Sequence, residues 1–185
     1  MFTFIAIGFA VLVLLLVVVV SLQPAHFRVT RTAVIAAEPG AVFANVNDFH
    51  KWEAWSPWAK LDPNSTAAYA GASSGEGAIF SWVGNAKVGE GRMTILESRP
   101  SDFIKINLEF FKPFKATNTA EFTFKPAGMQ TEVTWSMHGK NNFMGKAMGL
   151  IMNCDKMIGG SFEKGLSSLN DASRATASAQ PAKPA

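Results

Sequence analysis

Residues 103–138 read FIKINLEFFKPFKATNTAEFTFKPAGMQTEVTWSMH, and their spacing decides the fold. Ile104, Ile106, Leu108 and Phe110 alternate with Lys105, Asn107 and Glu109. Phe122 and Phe124 alternate with Glu121, Thr123 and Lys125, and Val133, Trp135 and Met137 with Glu132, Thr134 and Ser136. A period of two sends one set to each side of a strand. Lys112-Pro113 and Pro126-Ala127-Gly128 separate the runs with hairpin-length turns. The result is an antiparallel sheet with one apolar, aromatic face and one solvated face. Such a sheet needs something to cover it.

The same period runs back toward the N-terminus. It predicts strands over 67–70, 78–83 and 88–97, with Phe80 and Trp82 joining the apolar face. Together with 103–110, 114–125 and 130–138 they form a meander of six strands. A first strand is expected over 27–36. Pro39 then suits the first turn of a helix, and Val42, Phe43, Val46 and Phe49 keep helical spacing to about Lys51. Trp52, Trp55 and Trp58 follow in an irregular, proline-containing connector. Three indoles cannot all stay in water, so this connector should clamp onto the sheet.

Residues 142–169 carry the cover. Met144, Met148, Ile151, Ile158, Phe162, Leu166 and Leu169 recur at steps of three and four, as on one face of a long helix. Met152 and Met157 add to its adaptable side chains. Gly145, Gly149, Gly159, Gly160 and Gly165 each cost about 1 kcal/mol against alanine there, so packing must hold this helix. Beyond Asp171 the Ala, Ser, Pro and Gln composition reads as a disordered tail. A curved sheet around a long C-terminal helix, an α+β plan, is the compact solution.

Residues 1–25 contain no charged side chain, whereas all 17 Lys and Arg and all 14 Asp and Glu lie beyond. Phe2 to Leu22 would span about 30 Å as a helix, the thickness of a bilayer core. A signal peptide would want a basic start and a shorter core. A single-pass anchor over 1–24 is therefore expected, with a folded domain over 25–170 and the tail over 171–185. Arg28 and Arg31 just after the span favour a cytoplasmic domain.

Net charge is +3, and the basic residues are scattered. No phosphate-tracking stripe can be drawn, so nucleic acid is not an expected partner. Cys154 is the only cysteine, which excludes an internal disulfide and a cysteine-rich zinc site. Its neighbours Asn153 and Asp155 offer nothing to make it a nucleophile. His26, His50 and His138 lack ligand spacing, so no metal and no other cofactor is expected. Gly139 to Ala147 imitates a phosphate-binding loop, but its glycine gap is one residue too long and Ala147 replaces the hydroxyl that would hold magnesium.

This plan resembles the helix-grip (SRPBCC, Bet v 1/START-like) superfamily, and more narrowly the bacterial polyketide cyclase/dehydrase and lipid-transport-like proteins. The residues carrying the resemblance are Ile35-Ala36-Ala37-Glu38-Pro39 with Val42-Phe43, then Trp52-Glu53-Ala54-Trp55-Ser56-Pro57-Trp58, then Val133-Thr134-Trp135 and the terminal helix. The resemblance implies a hydrophobic cavity between sheet and helix that binds lipids, polyketides or similar molecules. It does not imply catalysis, because a shared fold does not transmit a catalytic set. No inward acid–base pair emerges from the strand parities. The residues expected to line the cavity are Phe80, Trp82, Phe110, Asn118, Phe122, Trp135, Met144 and Met148, with Asn118 the polar contact. The expected function is membrane-anchored binding of a hydrophobic small molecule or lipid. The alternatives are a cyclase- or dehydratase-type enzyme, for which Asn118 and Asp48 would be first suspects, and a tethered interaction module with a filled core.

Overall fold

The computed structural model describes residues 2–151 and 153–179. Met1, Met152, residues 180–185 and the side chains of Ile151, Cys154, Ser178 and Ala179 lie outside the described parts. An apolar helix α1 (Phe2–Ser21) comes first. Seven strands follow: β1 (His26–Ile35), β2 (Thr66–Gly71), β3 (Ala78–Val83), β4 (Glu90–Arg99), β5 (Phe103–Lys112), β6 (Ala116–Ala127) and β7 (Gln130–Lys140). Between β1 and β2 lie α2 (Pro39–Val46), a 3-10 turn (Phe49–Lys51) and α3 (Trp52–Trp55). Two helices close the chain, α4 (Phe143–Ile151) and α5 (Cys154–Ala179).

The strands form one antiparallel sheet in the order β1-β7-β6-β5-β4-β3-β2. Hairpins make β2 to β7 a meander, and β1 returns to pair with β7. Register puts Phe122 beside Trp135, Leu108 beside Met93, and Phe80 beside Met93 on the same face. A register shift between Ile95 and Glu97 bends β4. The inner face is the one that the period of two marks, and α5 packs against it, chiefly over β1, α2 and α3.

The C-terminal cover differs from the sequence expectation in two ways. It is not one helix, because Asn153 is non-helical and separates α4 from α5. Asn153 restarts the helix: its Oδ1 accepts from Lys156 N at 2.9 Å, an N-cap bond. Nor does the helix end near Leu169. It continues to Ala179, and Ser173 is fully buried. Asn45 of α2 donates from Nδ2 to Ser173 Oγ and to Thr176 Oγ1, each at 3.4 Å. The small residues that look like a tail composition are what let α5 lie close against α2.

Two helical glycines have a packing reason. A Cβ at Gly165 would lie 2.7 Å from Trp135 Cζ3 and 3.1 Å from Pro57 Cδ. A Cβ at Gly159 would collide with the Arg31 guanidinium, which rests there on α5. Arg31 donates from Nε to Glu163 Oε1 at 2.7 Å and from Nη2 to Asp155 Oδ2 at 3.1 Å. These bonds, the one to Asp155 first, hold its pKa above the ordinary arginine value. Gly160 has nothing within 4 Å where its Cβ would stand.

Candidate functional site

The inner face has two unlike halves. Over β1, β7 and β6 it is filled. Trp55 is 1% exposed and donates its indole N–H to Asn45 O at 3.1 Å; Trp52 donates to Val46 O at 2.9 Å. Trp55 meets Phe122 edge-on at 6.2 Å and Trp135 at 5.7 Å between centroids. From α5, Phe162 stacks flat on Trp135 at 4.1 Å, and Trp58 caps both rings. The connector tryptophans therefore clamp, as expected. The empty room expected at the centre is occupied by the chain's own rings. Phe122 (fully buried) and Trp135 (2% exposed) belong to this plug and do not line free space.

Over β3, β4 and β5 the inner face is open. Phe80, Trp82, Met93, Leu108 and Phe110 are each half-buried. Register makes them neighbours: Phe80 pairs with Met93, Trp82 with Gly91, Met93 with Leu108, and Gly91 with Phe110. Phe80 stacks on Trp82 at 6.0 Å, and Phe110 meets Trp82 edge-on at 5.8 Å. Gly91 makes this possible, since the Trp82 ring occupies the space its side chain would take. Trp82 spends its N–H on Val88 O at 3.0 Å, leaving the ring as an apolar wall.

Asn118 borders this shelf, opposite Leu108 on β5 and Gly139 on β7. It is 8% exposed, and its Oδ1 has no hydrogen-bond partner. Gly139 leaves the room that the Asn118 amide fills; a Cβ there would collide with Oδ1. An unpartnered buried carbonyl costs about 1–3 kcal/mol, a cost that any hydrogen-bond donor seated on it would relieve. Trp135 Nε1 is likewise unpartnered, but inside the plug. The sequence pointed to Asn118 through its parity with Phe122. The sequence also puts Leu108 on this face, and the same alternation marks Met93 and Gly91, but none of the three is among the expected lining residues.

Met144 and Met148 stand elsewhere. They lie on α4, 44% and 40% exposed, and α4 packs principally against α1 rather than on the sheet. Their expected place in the cavity wall was drawn from one continuous helix, and the break at Asn153 removes it. Asp48 is engaged locally: its carboxylate accepts from His50 N and faces His50 Nδ1, both at 2.9 Å. His50 stacks on Tyr69 at 4.0 Å beside a shallow recess of about 130 Å³ on the β2 edge. Burial, then Glu53 and Asp48, raises the Tyr69 pKa. A second open recess, about 330 Å³, runs between β1 and α5 from Thr32 to Asn170. Among the described residues no cluster of His, Cys, Asp and Glu is arranged to hold a metal ion.

The comparisons with known proteins agree with this architecture. A family model described as polyketide cyclase/dehydrase and lipid transport matches residues 26–174. No curated protein matches the chain. Among solved structures, protein MLL2253 from Mesorhizobium loti superposes with a TM-score of 0.57 at 15% identity, covering 81% of this chain and 98% of its own. The di-domain ARO/CYC StfQ from the steffimycin biosynthetic pathway gives 0.59 at 9% identity, over 83% of this chain and 52% of that one. Ara h 8.0201 gives 0.54 at 9% identity, over 81% and 99%. At these identities the likeness is one of fold.

Proposed function

This chain belongs to the polyketide cyclase/dehydrase and lipid transport family, and on that ground we propose that it binds an apolar small molecule or lipid on the open half of its concave sheet face, held at a membrane by α1. The carrying observation is the half-buried row Phe80, Trp82, Met93, Leu108 and Phe110 ending at the unpartnered Asn118 Oδ1. Its chemistry asks for a molecule with a hydrocarbon body and one hydrogen-bond donor. α1 supports the tether. It has 20 residues and a mean hydropathy of 3.2, and nearly all its side chains are exposed. Leaving them in water would cost far more than placing them in lipid.

The test is titration of the full chain in detergent with a long-chain alcohol and with its methyl ether, which lacks the donor. Trp82→Ala removes a ring contact of roughly 60 Å², worth about 1.5 kcal/mol, and should weaken both ligands about tenfold. Asn118→Ala should weaken the alcohol alone, roughly three- to tenfold, while leaving the unliganded protein no less stable. If neither ligand binds, and no lipid copurifies in native mass spectrometry, the binding reading fails. A cyclase-type reaction would need an acid or base beside the ligand. Arg31, which β1 presents inward, is held by Asp155 and Glu163, and Asp48 is engaged by His50. The geometry therefore favours binding.

A further inference from the structure

We propose that α4 and the β5–β6 turn form a membrane-docking surface at the foot of α1, which lays the domain on the bilayer with the open half of its concave face turned toward lipid. The inference rests on α1 being an anchor and goes beyond it, because a flexible tether alone would leave the domain free to tumble.

Three bonds fix α4 to the exit of α1. Lys146 Nζ donates to Ser21 O, on the last residue of α1, at 2.9 Å. Just before α4, Asn141 N donates to Ala25 O at 2.9 Å and Asn141 Nδ2 to Pro24 O at 3.2 Å. A fourth bond, Asn142 Nδ2 to Lys115 O at 3.3 Å, ties the β5–β6 turn to the same place. If α1 crosses a bilayer, α4 therefore sits at headgroup level.

Its exposed side chains suit that level. Phe143 is 53% exposed and Leu150 42%, and with Met144 and Met148 they fall on one side of α4. At 100° per residue they fill an arc of about 160°. Phe114, in the β5–β6 turn, is also 53% exposed. Around these apolar groups stand Lys115 and Lys140, together with Lys146, which bonds Ser21 O, and Lys112, which Glu90 pairs. Of the carboxylates at this end, Glu90 is paired with Lys112 at 2.7 Å, Asp155 is engaged by Arg31, and Glu109 lies opposite Arg92 on β4. An apolar stripe rimmed by lysines is the composition of a helix lying in an anionic lipid interface.

Strand register adds the orientation. The start of β1, the end of β7, the start of β6 and the end of β5 meet at this one end of the sheet. Phe110, Asn118 and Gly139 lie there, with Trp82 two strands away from Phe110's partner side across Gly91. The shelf thus opens at the end where the anchor enters, and a lipid can pass between bilayer and shelf without crossing water.

The test uses the full chain with Cys154→Ser and one introduced cysteine carrying an environment-sensitive fluorophore, reconstituted in phosphatidylcholine–phosphatidylglycerol vesicles. The labelled positions are Met148→Cys, Phe114→Cys and, as control, Met129→Cys. Met129 is 83% exposed in the β6–β7 turn at the opposite end of the sheet. Docking predicts that the labels at 148 and 114 are quenched by nitroxide lipids and shielded several-fold from aqueous iodide, while the label at 129 behaves oppositely. If the chain floats with vesicles and all three labels are equally open to iodide, docking is overturned and the anchor stands. If the chain does not float, the anchor reading fails and docking falls with it. The paired positions on two different elements keep the result readable should one substitution disturb folding.

Discussion

Replacing Trp55 with alanine is expected to lower the unfolding free energy by about 3–5 kcal/mol, the range for truncating a large buried aromatic. Trp55 lies between the sheet and α5, meeting Trp52 at 4.6 Å, Trp135 at 5.7 Å and Phe122 at 6.2 Å. Its loss would leave a cavity that rigid rings cannot collapse into, and would orphan the carbonyl of Asn45. Urea denaturation of the detergent-solubilised chain, followed by circular dichroism, measures this. Trp58→Ala is the comparison: at 37% exposure it should cost clearly less. Equal losses would mean that the connector, rather than the plug, carries the stability.

The second large effect separates two glycines five positions apart on α5. In an ordinary exposed helix, Gly→Ala gains about 1 kcal/mol. Gly160→Ala should gain that amount, because its Cβ would enter open space. Gly165→Ala should instead lose about 1–3 kcal/mol, because its Cβ would press on the Trp135 ring at 2.7 Å and on Pro57 at 3.1 Å. Neither neighbour is the loose end of a flexible side chain. Opposite signs in the same denaturation experiment are the expected result. A gain at both positions would show that α5 can ride away from the sheet without penalty.

The sheet was readable from the sequence because period two is a local property. Val133, Trp135 and Met137 advertise their face whatever else the chain does, and the turn residues advertise the hairpins. The break at Asn153 was harder to see, because apolar residues at helical spacing continue on both sides of it. The end of α5 was hidden for a different reason. Ala172, Ser173 and Thr176 carry no hydrophobic signal, and their value lies in being small against α2. In the proposed site, the shared face of Asn118, Phe80, Trp82 and Phe110 follows from parity alone. That Phe122 and Trp135 would be sealed does not follow, because it depends on how the segment bearing α3 and Trp55 folds over the sheet. No periodicity encodes that angle. Met144 and Met148 stand away from the sheet because of the same break at Asn153.

The contact between Arg31 and α5 constrains inheritance. The guanidinium occupies the volume of a methyl group at position 159, so a side chain there would push the flexible end of Arg31 off its seat on α5. A side chain at 159, or a shorter residue at 31, would each give up the bonds from Arg31 to Asp155 and Glu163. The two positions are therefore coupled through these bonds, and a lineage with alanine at 159 should hold its residue 31 away from Asp155 and Glu163.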